Sequence, residues 1–174
     1  MRAFLTGPLI RLFPVGLVLL AIQRVVFSQV HLAGTVIEIM LALAACTGAG
    51  AGAERGAVAG FTLGLMYDLG SGTPLGLTAL VYAVAGFTAG YGLSWTPTPP
   101  WWLSSLFASL GAAVGELCQP LARVMIGEDG WFDARLYRLV PVAALSTLLV
   151  SPLFIPLGRW CMRVKRQQWK VMAP

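Results

Sequence analysis

The chain has 174 residues, of which 57% are hydrophobic and only 11% charged, with a mean hydropathy of +0.78. Soluble domains carry roughly 25% charged residues, so a water-facing fold of this size has no means of hiding so much apolar surface, and lipid is the solvent the composition suits. The basic excess, 12 Lys+Arg against 7 Asp+Glu, does not point to nucleic acid. Five of the basic residues (Arg159, Arg163, Lys165, Arg166 and Lys170) follow the last apolar stretch and read as a tail facing anionic membrane lipid.

A helix needs about 20 apolar residues to cross the hydrocarbon core. Six candidate spans follow in chain order, at about 9–30, 35–52, 55–69, 74–93, 101–121 and 137–157. The first is too long for the apolar part of a cleavable signal and has no convincing small-residue cleavage site, so a retained first helix is expected. The second and third are the least regular. The Gly/Ala run from Gly48 to Ala53 suits a tight hairpin or a re-entrant turn, and the third span is short. Thr73 is placed to cap the fourth span with Pro74 at its first helical position. Three prolines between Trp95 and Trp101 end the fourth span. The largest loop holds Glu128, Asp129 and Asp133, with Trp131, Phe132 and Tyr137 suited to the headgroup layer. Pro152 and Pro156 are expected to kink the end of the sixth span. The fold class is therefore all-α, a polytopic transmembrane bundle of about six helices over residues 1–158, with a basic cytoplasmic tail at 159–174.

Six crossings put both termini on one side. That side holds Arg2, Arg11, Arg55 and the five tail residues, eight of the twelve basic residues. The positive-inside bias makes it cytoplasmic and places the loop after the fifth span outside.

Two residue patterns inside the apolar spans stand out. Gly56, Gly60 and Gly64 stand four apart with Asp68 continuing the row, and Gly86 with Gly90 and Gly111 with Gly115 repeat the spacing. Small residues at this interval let helix backbones approach closely, either as a docking face for another protein or as packing within the bundle. The second pattern is four ionisable residues, Arg24, Glu38, Asp68 and Glu116. A charge at mid-bilayer costs about 2.5–3.5 kcal/mol or more, so depth matters. Counting about 1.5 Å per helical residue from Arg55 and Trp101 puts Asp68 and Glu116 in the outer half, where Glu38 enters and Arg24 leaves. The expectation is a polar cluster there, with Arg24 offsetting carboxylate charge. The alternative is that each residue reaches the outer interface separately.

Enzyme and cofactor chemistry find no support. There is no GxSxG, HExxH or Walker sequence. Cys46, Cys118 and Cys161 are single, and His31 has no second ligand nearby. No cofactor or metal is expected.

The stretch Gly60-Phe61-Thr62-Leu63-Gly64-Leu65-Met66-Tyr67-Asp68-Leu69-Gly70-Ser71-Gly72-Thr73-Pro74-Leu75-Gly76 resembles the rod-shape-determining protein MreD family. That family shows a GF-x-x-GL-x-x-D helix end, a Ser/Gly turn and a P-L-G-x-x-A-L helix start. The likeness runs to about Tyr91, a quarter of the chain. Before the second helix the family often has Pro-Asp, where this chain has Leu32-Ala33-Gly34-Thr35. The resemblance implies a non-enzymatic scaffold of the bacterial cell-elongation complex in the cytoplasmic membrane. Such a subunit binds MreC and links it to MreB filaments and to the peptidoglycan glycosyltransferase-transpeptidase pair. It also implies a fold like the substrate-binding subunit of energy-coupling-factor vitamin transporters. Under it, Gly60 and Gly64 permit close helix contact, Asp68 caps or tethers the third helix, and Pro74 and Gly76 shape entry to the fourth. The rival reading is such a vitamin-binding subunit itself. A proton-coupled carrier ranks lower, because the carboxylates sit on one side.

Overall fold

The computed structural model describes residues 9–27, 31–32, 35–36, 38–72, 74–96, 99–124, 127 and 136–162. Thr73, the acidic and aromatic residues at 128–133 and the tail residues 163–174 lie outside the described residues. Among those described there are six α-helices: α1 (Leu9–Ile22), α2 (Ile39–Ala51), α3 (Ala53–Ser71), α4 (Leu77–Leu93), α5 (Trp101–Val124) and α6 (Leu136–Cys161). A π-helical turn, Gln23–Phe27, extends α1. A two-residue antiparallel pair, β1 (His31–Leu32) with β2 (Thr35–Val36), precedes α2. The fold is all-α. Two helices, α5 and the Leu139–Cys161 part of α6, are long and apolar enough to cross a membrane, and α2 and α4 are apolar but shorter.

Several boundaries differ from the sequence expectation, each for a local reason. Residues 35–36 belong to β2, so the second helix starts four residues late, at Ile39. The third helix is not short. It runs 19 residues, because the chain turns at a single position, Gly52, and α3 begins at once. Gly52 has φ +97, a left-handed value that glycine adopts without a Cβ penalty. Its N–H closes α2 by donating to Gly48 O at 2.9 Å, and its own carbonyl accepts from Gly56 N at 2.8 Å. The Gly48–Ala53 run is thus a one-residue helical hairpin. Pro74 is not the first residue of α4, which starts three residues later at Leu77, after Gly76 at φ +97. Helix α6 passes through Pro141, Pro152 and Pro156 and runs on to Cys161, so Arg159 belongs to its last turn rather than to a tail. Pro152 leaves the Leu148 carbonyl without its helical donor, and the Ser151 hydroxyl supplies one at 2.7 Å.

The helices form a ring around one member. Helix α2 packs against α3, α4, α5 and α6, while the ring neighbours α3–α4, α4–α5 and α5–α6 also touch and α1 leans chiefly on α3. Eleven consecutive residues of α2, from Ile39 to Ala49, are buried. A helix that is apolar all round is a core helix, and α2 is one.

Side-chain size runs in the opposite direction to that of a water-soluble protein. Along α5, Trp102, Leu106, Leu110, Leu117 and Leu121 point outward, while Ala108, Gly111, Ala112 and Gly115 point in. Along α6, Leu145, Leu149, Leu153 and Trp160 are exposed. On α1 the same holds for Ile10, Phe13, Leu17 and Val18. Rows of exposed large apolar side chains mark surfaces that meet lipid or another protein.

Candidate functional site: the polar end of the bundle

The glycine rows lie inside the molecule. Helices α3 and α4 run antiparallel with Gly56 against Gly86, Gly60 against Tyr82 and Gly64 against Ala79, and Gly90 lies against Ala53. At the first of these levels a third glycine, Gly48 of α2, joins, so three backbones from three helices meet. A Cβ on any of these glycines would clash with neighbouring backbone atoms. All are buried. Gly111 packs on the Ala85 carbonyl and on Ala89, and Gly115 on the side chains of Leu41 and Ala85. The rows are therefore spent on packing within the bundle and present no face to another molecule.

The four ionisable residues gather at one end, where α1 and α3 finish and α2 and α4 begin. Their bonding is different from the expected neutralisation of carboxylates by Arg24. Arg24, on the π-turn after α1, donates to the Gly70 carbonyl and, at 3.1 Å, to Ser71 Oγ. It therefore sits on the C-terminus of α3, where a cation is favoured by the helix dipole and by the orphan carbonyls. Asp68 does the converse. It is 1% exposed in the last turn of α3, and its Oδ2 accepts from Gly76 N at 2.9 Å and Ala79 N at 3.4 Å. An anion at the first N–H groups of α4 is the favourable sense. That bond explains why α4 needs no cap from its own sequence, and why Pro74, which is exposed, is not the starting residue.

Gln23, missed in the sequence reading, supplies a third cap. It is 7% exposed, and its Oε1 accepts from the N–H of Met40, the second residue of α2, at 3.2 Å. The residue at the N-cap of α2, Glu38, makes no cap of its own. Its carboxylate turns instead toward the ring. Tyr82 Oη donates to Oε2 at 3.0 Å, and Gln119 Nε2 lies 3.0 Å from both oxygens. Tyr82 is fully buried and its ring lies 6.0 Å from that of Tyr67. Glu116, one turn before Gln119 on α5 and 7% exposed, interacts electrostatically with Glu38, and the exposed Arg123 acts on both carboxylates.

The cluster is thus two linked groups. One is a set of caps passing from Gln23 and Arg24 through Asp68. The other is Glu38, held by neutral donors from α4 and α5, with Glu116 one turn before Gln119 on α5. Sequence gave a signal for Gln119, a polar residue three after Glu116 on an otherwise apolar face. It gave none for Gln23 or Tyr82, whose roles exist only once four helices are side by side. Nothing resembling a metal-binding group of three or more His, Cys, Asp or Glu side chains occurs among the described residues. No protein family, curated protein or solved structure matches the chain.

Proposed function

We propose that the chain is a multi-pass membrane scaffold, a non-enzymatic subunit of a bacterial cell-elongation complex of the MreD type. The observation that carries the scaffold reading is the radial order: large apolar side chains outward on α1, α5 and α6, small ones inward, and a core helix filling the axis. This is the order expected when lipid surrounds the bundle and tight packing holds it. The reading includes six crossings, with both termini cytoplasmic. The shorter α2 needs no lipid-spanning length, because other helices cover it. The elongation role rests on the motif from Gly60 to Gly76, with MreC as the partner and MreB and the glycosyltransferase-transpeptidase pair beyond it.

The vitamin-carrier alternative is less well supported. A small-molecule site is a cavity of about 300–1,000 Å³, and the axis where helices converge is occupied by α2. The test is affinity purification from native membranes in mild detergent with partners identified by mass spectrometry. Recovery of MreC supports the proposal. Recovery of a transporter's ATPase subunits without MreC sinks it.

A further inference from the structure

The end of the bundle opposite the caps and carboxylates carries two arginines whose donors are largely unspent. There α1 starts, α2 hands over to α3 at Gly52, and α6 finishes. Arg11, the third residue of α1, is half-buried, with its guanidinium carbon 5.1 Å from the centre of the Trp160 ring of α6. Arg11 has no hydrogen bond or ion pair among the described residues. Arg159, the residue before Trp160, is also half-buried and spends only its Nε, which donates to the Gly50 carbonyl at the end of α2 at 3.2 Å. Its two terminal amino groups have no bond among the described residues. Acidic side chains do not answer these charges. Glu38, Asp68 and Glu116 belong to the other end, and Glu54, exposed at the start of α3, pairs with neither arginine among the described residues.

We propose that this end binds one anionic phospholipid, its phosphate held by Arg11 and Arg159 and an acyl chain lying along the seam of α1 and α6. A guanidinium is always charged and offers its N–H groups as a planar fork that fits phosphate oxygens in pairs. Half-buried among apolar side chains, unspent donors call for an acceptor. Basic pockets between helices at a membrane face take lipid headgroups for this reason. The helix faces point to a lipid and not to a free anion. Arg11 and Trp160 bring one face of α1 against one face of α6. On those same faces Val18 stands seven residues after Arg11, and Leu153 and Leu149 stand seven and eleven before Trp160. All three are exposed. Helix α1 leans chiefly on α3 and only lightly on α6, so the two helices meet at the arginine end and leave apolar stripes uncovered beyond it. A headgroup at the arginines has its chains in line with those stripes, and Trp160 suits the boundary between the two. A zwitterionic headgroup carries its own cation beside the phosphate, so a net negative lipid is the better match.

The proposal rests on the membrane reading of the bundle and not on its protein partner. Failure of the membrane reading shows separately, as a chain that stays soluble without detergent, and failure of lipid binding leaves the recovery of MreC untouched. The experiment is native mass spectrometry of the full chain released from mild detergent and titrated with phosphatidylglycerol, phosphatidylcholine or inorganic phosphate. One phosphatidylglycerol is expected to be retained in preference to phosphatidylcholine and not to be displaced by inorganic phosphate. Arg11→Gln and Arg159→Gln are each expected to raise the apparent Kd about fivefold, while Arg123→Gln, exposed at the opposite end, leaves it unchanged. Arg11→Lys keeps the charge without the fork and is expected to weaken binding too. Because Arg11 makes no hydrogen bond within the described residues, its variants test the site while the Arg159 bond to α2 stays in place. Equal retention of the two lipids, displacement by inorganic phosphate, or a Kd indifferent to both glutamine variants overturns the proposal. Full binding by Arg11→Lys assigns the lipid to diffuse charge and overturns it as well.

Discussion

Gly86→Ala separates packing against backbone from packing against side chains. The added Cβ meets the Gly56 carbonyl carbon at 2.7 Å and its oxygen closer still, with Ala44 O at 3.2 Å, so α3 and α2 both stand in its way. Neither obstacle is a flexible side-chain end. Overpacking a filled core costs about 1–3 kcal/mol, and rigid obstacles on two sides put this site near the top of that range. Alanine's better helix propensity returns about 1 kcal/mol. The net is about 2 kcal/mol, or about 30-fold in the folding equilibrium at 1.4 kcal/mol per tenfold. Gly16→Ala is the comparison. Its Cβ meets Leu63 Cδ2 at 2.9 Å and Met66 Sδ at 3.0 Å, the movable ends of side chains. Methionine adapts easily, and the propensity gain offsets most of the remainder, so the cost stays within about 1 kcal/mol. Reversible unfolding in mixed detergent micelles, followed by circular dichroism, measures both. Equal stability of the two variants would refute the three-backbone junction.

Asp68→Ala removes the cap on α4 and is expected to lose about 1 kcal/mol, within the 0.5–2 range for helix caps. Asp68→Asn, which keeps an acceptor, loses less, and the same unfolding assay reads both. Tyr82→Phe and Gln119→Leu each remove a donor to Glu38. A double-mutant cycle is expected to show coupling of about 0.5–3 kcal/mol, and strict additivity would mean that Glu38 does not join them. For orientation, single cysteines at Glu54 and Leu75, both exposed and at opposite ends of the α3–α4 pair, are introduced after Cys46, Cys118 and Cys161 are replaced. A membrane-impermeant maleimide is expected to label position 75 in intact cells and position 54 only after lysis, and the reverse pattern inverts the topology.

Much of the fold was legible because apolar segments bounded by glycine and proline clusters read as helices and glycine rows announce themselves by spacing. The placement of Arg24, Glu38, Asp68 and Glu116 at one end followed from counting residues along alternating helices. Their partners did not. Arg24 was expected against a carboxylate because opposite charges attract, yet it bonds the end of α3. Carbonyls left without a helical donor at the C-terminus of α3, Gly70's among them, together with the negative end of the helix dipole, draw a cation there. Pro74 was expected to open α4 on local preference, but Asp68, eight residues before Gly76, sets the start by reaching its N–H. The role of α2 was hidden for a different reason. Its apolar content is close to that of α1 and α4, and only the ring of helices around it makes it the core.

The motif that suggests a family turns out to be employed within the chain. Gly60 and Gly64 are closed against Tyr82 and Ala79, and Asp68 is bonded to Gly76. A helix end, a glycine turn and a proline-leucine-glycine start therefore encode one tight antiparallel pair, and the pair needs those residues whatever the protein binds. A variant of Gly64 or Asp68 that loses a partner will then have lost its own α3–α4 packing first, and the loss says nothing about contact. Partner specificity has to reside in side chains that the pair leaves outward. Leu69, Leu75, Phe87 and Tyr91 are exposed beside it, and substitutions there change the surface while leaving the glycine contacts and the Asp68 cap in place. A partner that binds at this pair is lost on changing those four residues and retained when the outward leucines of α6 are changed instead.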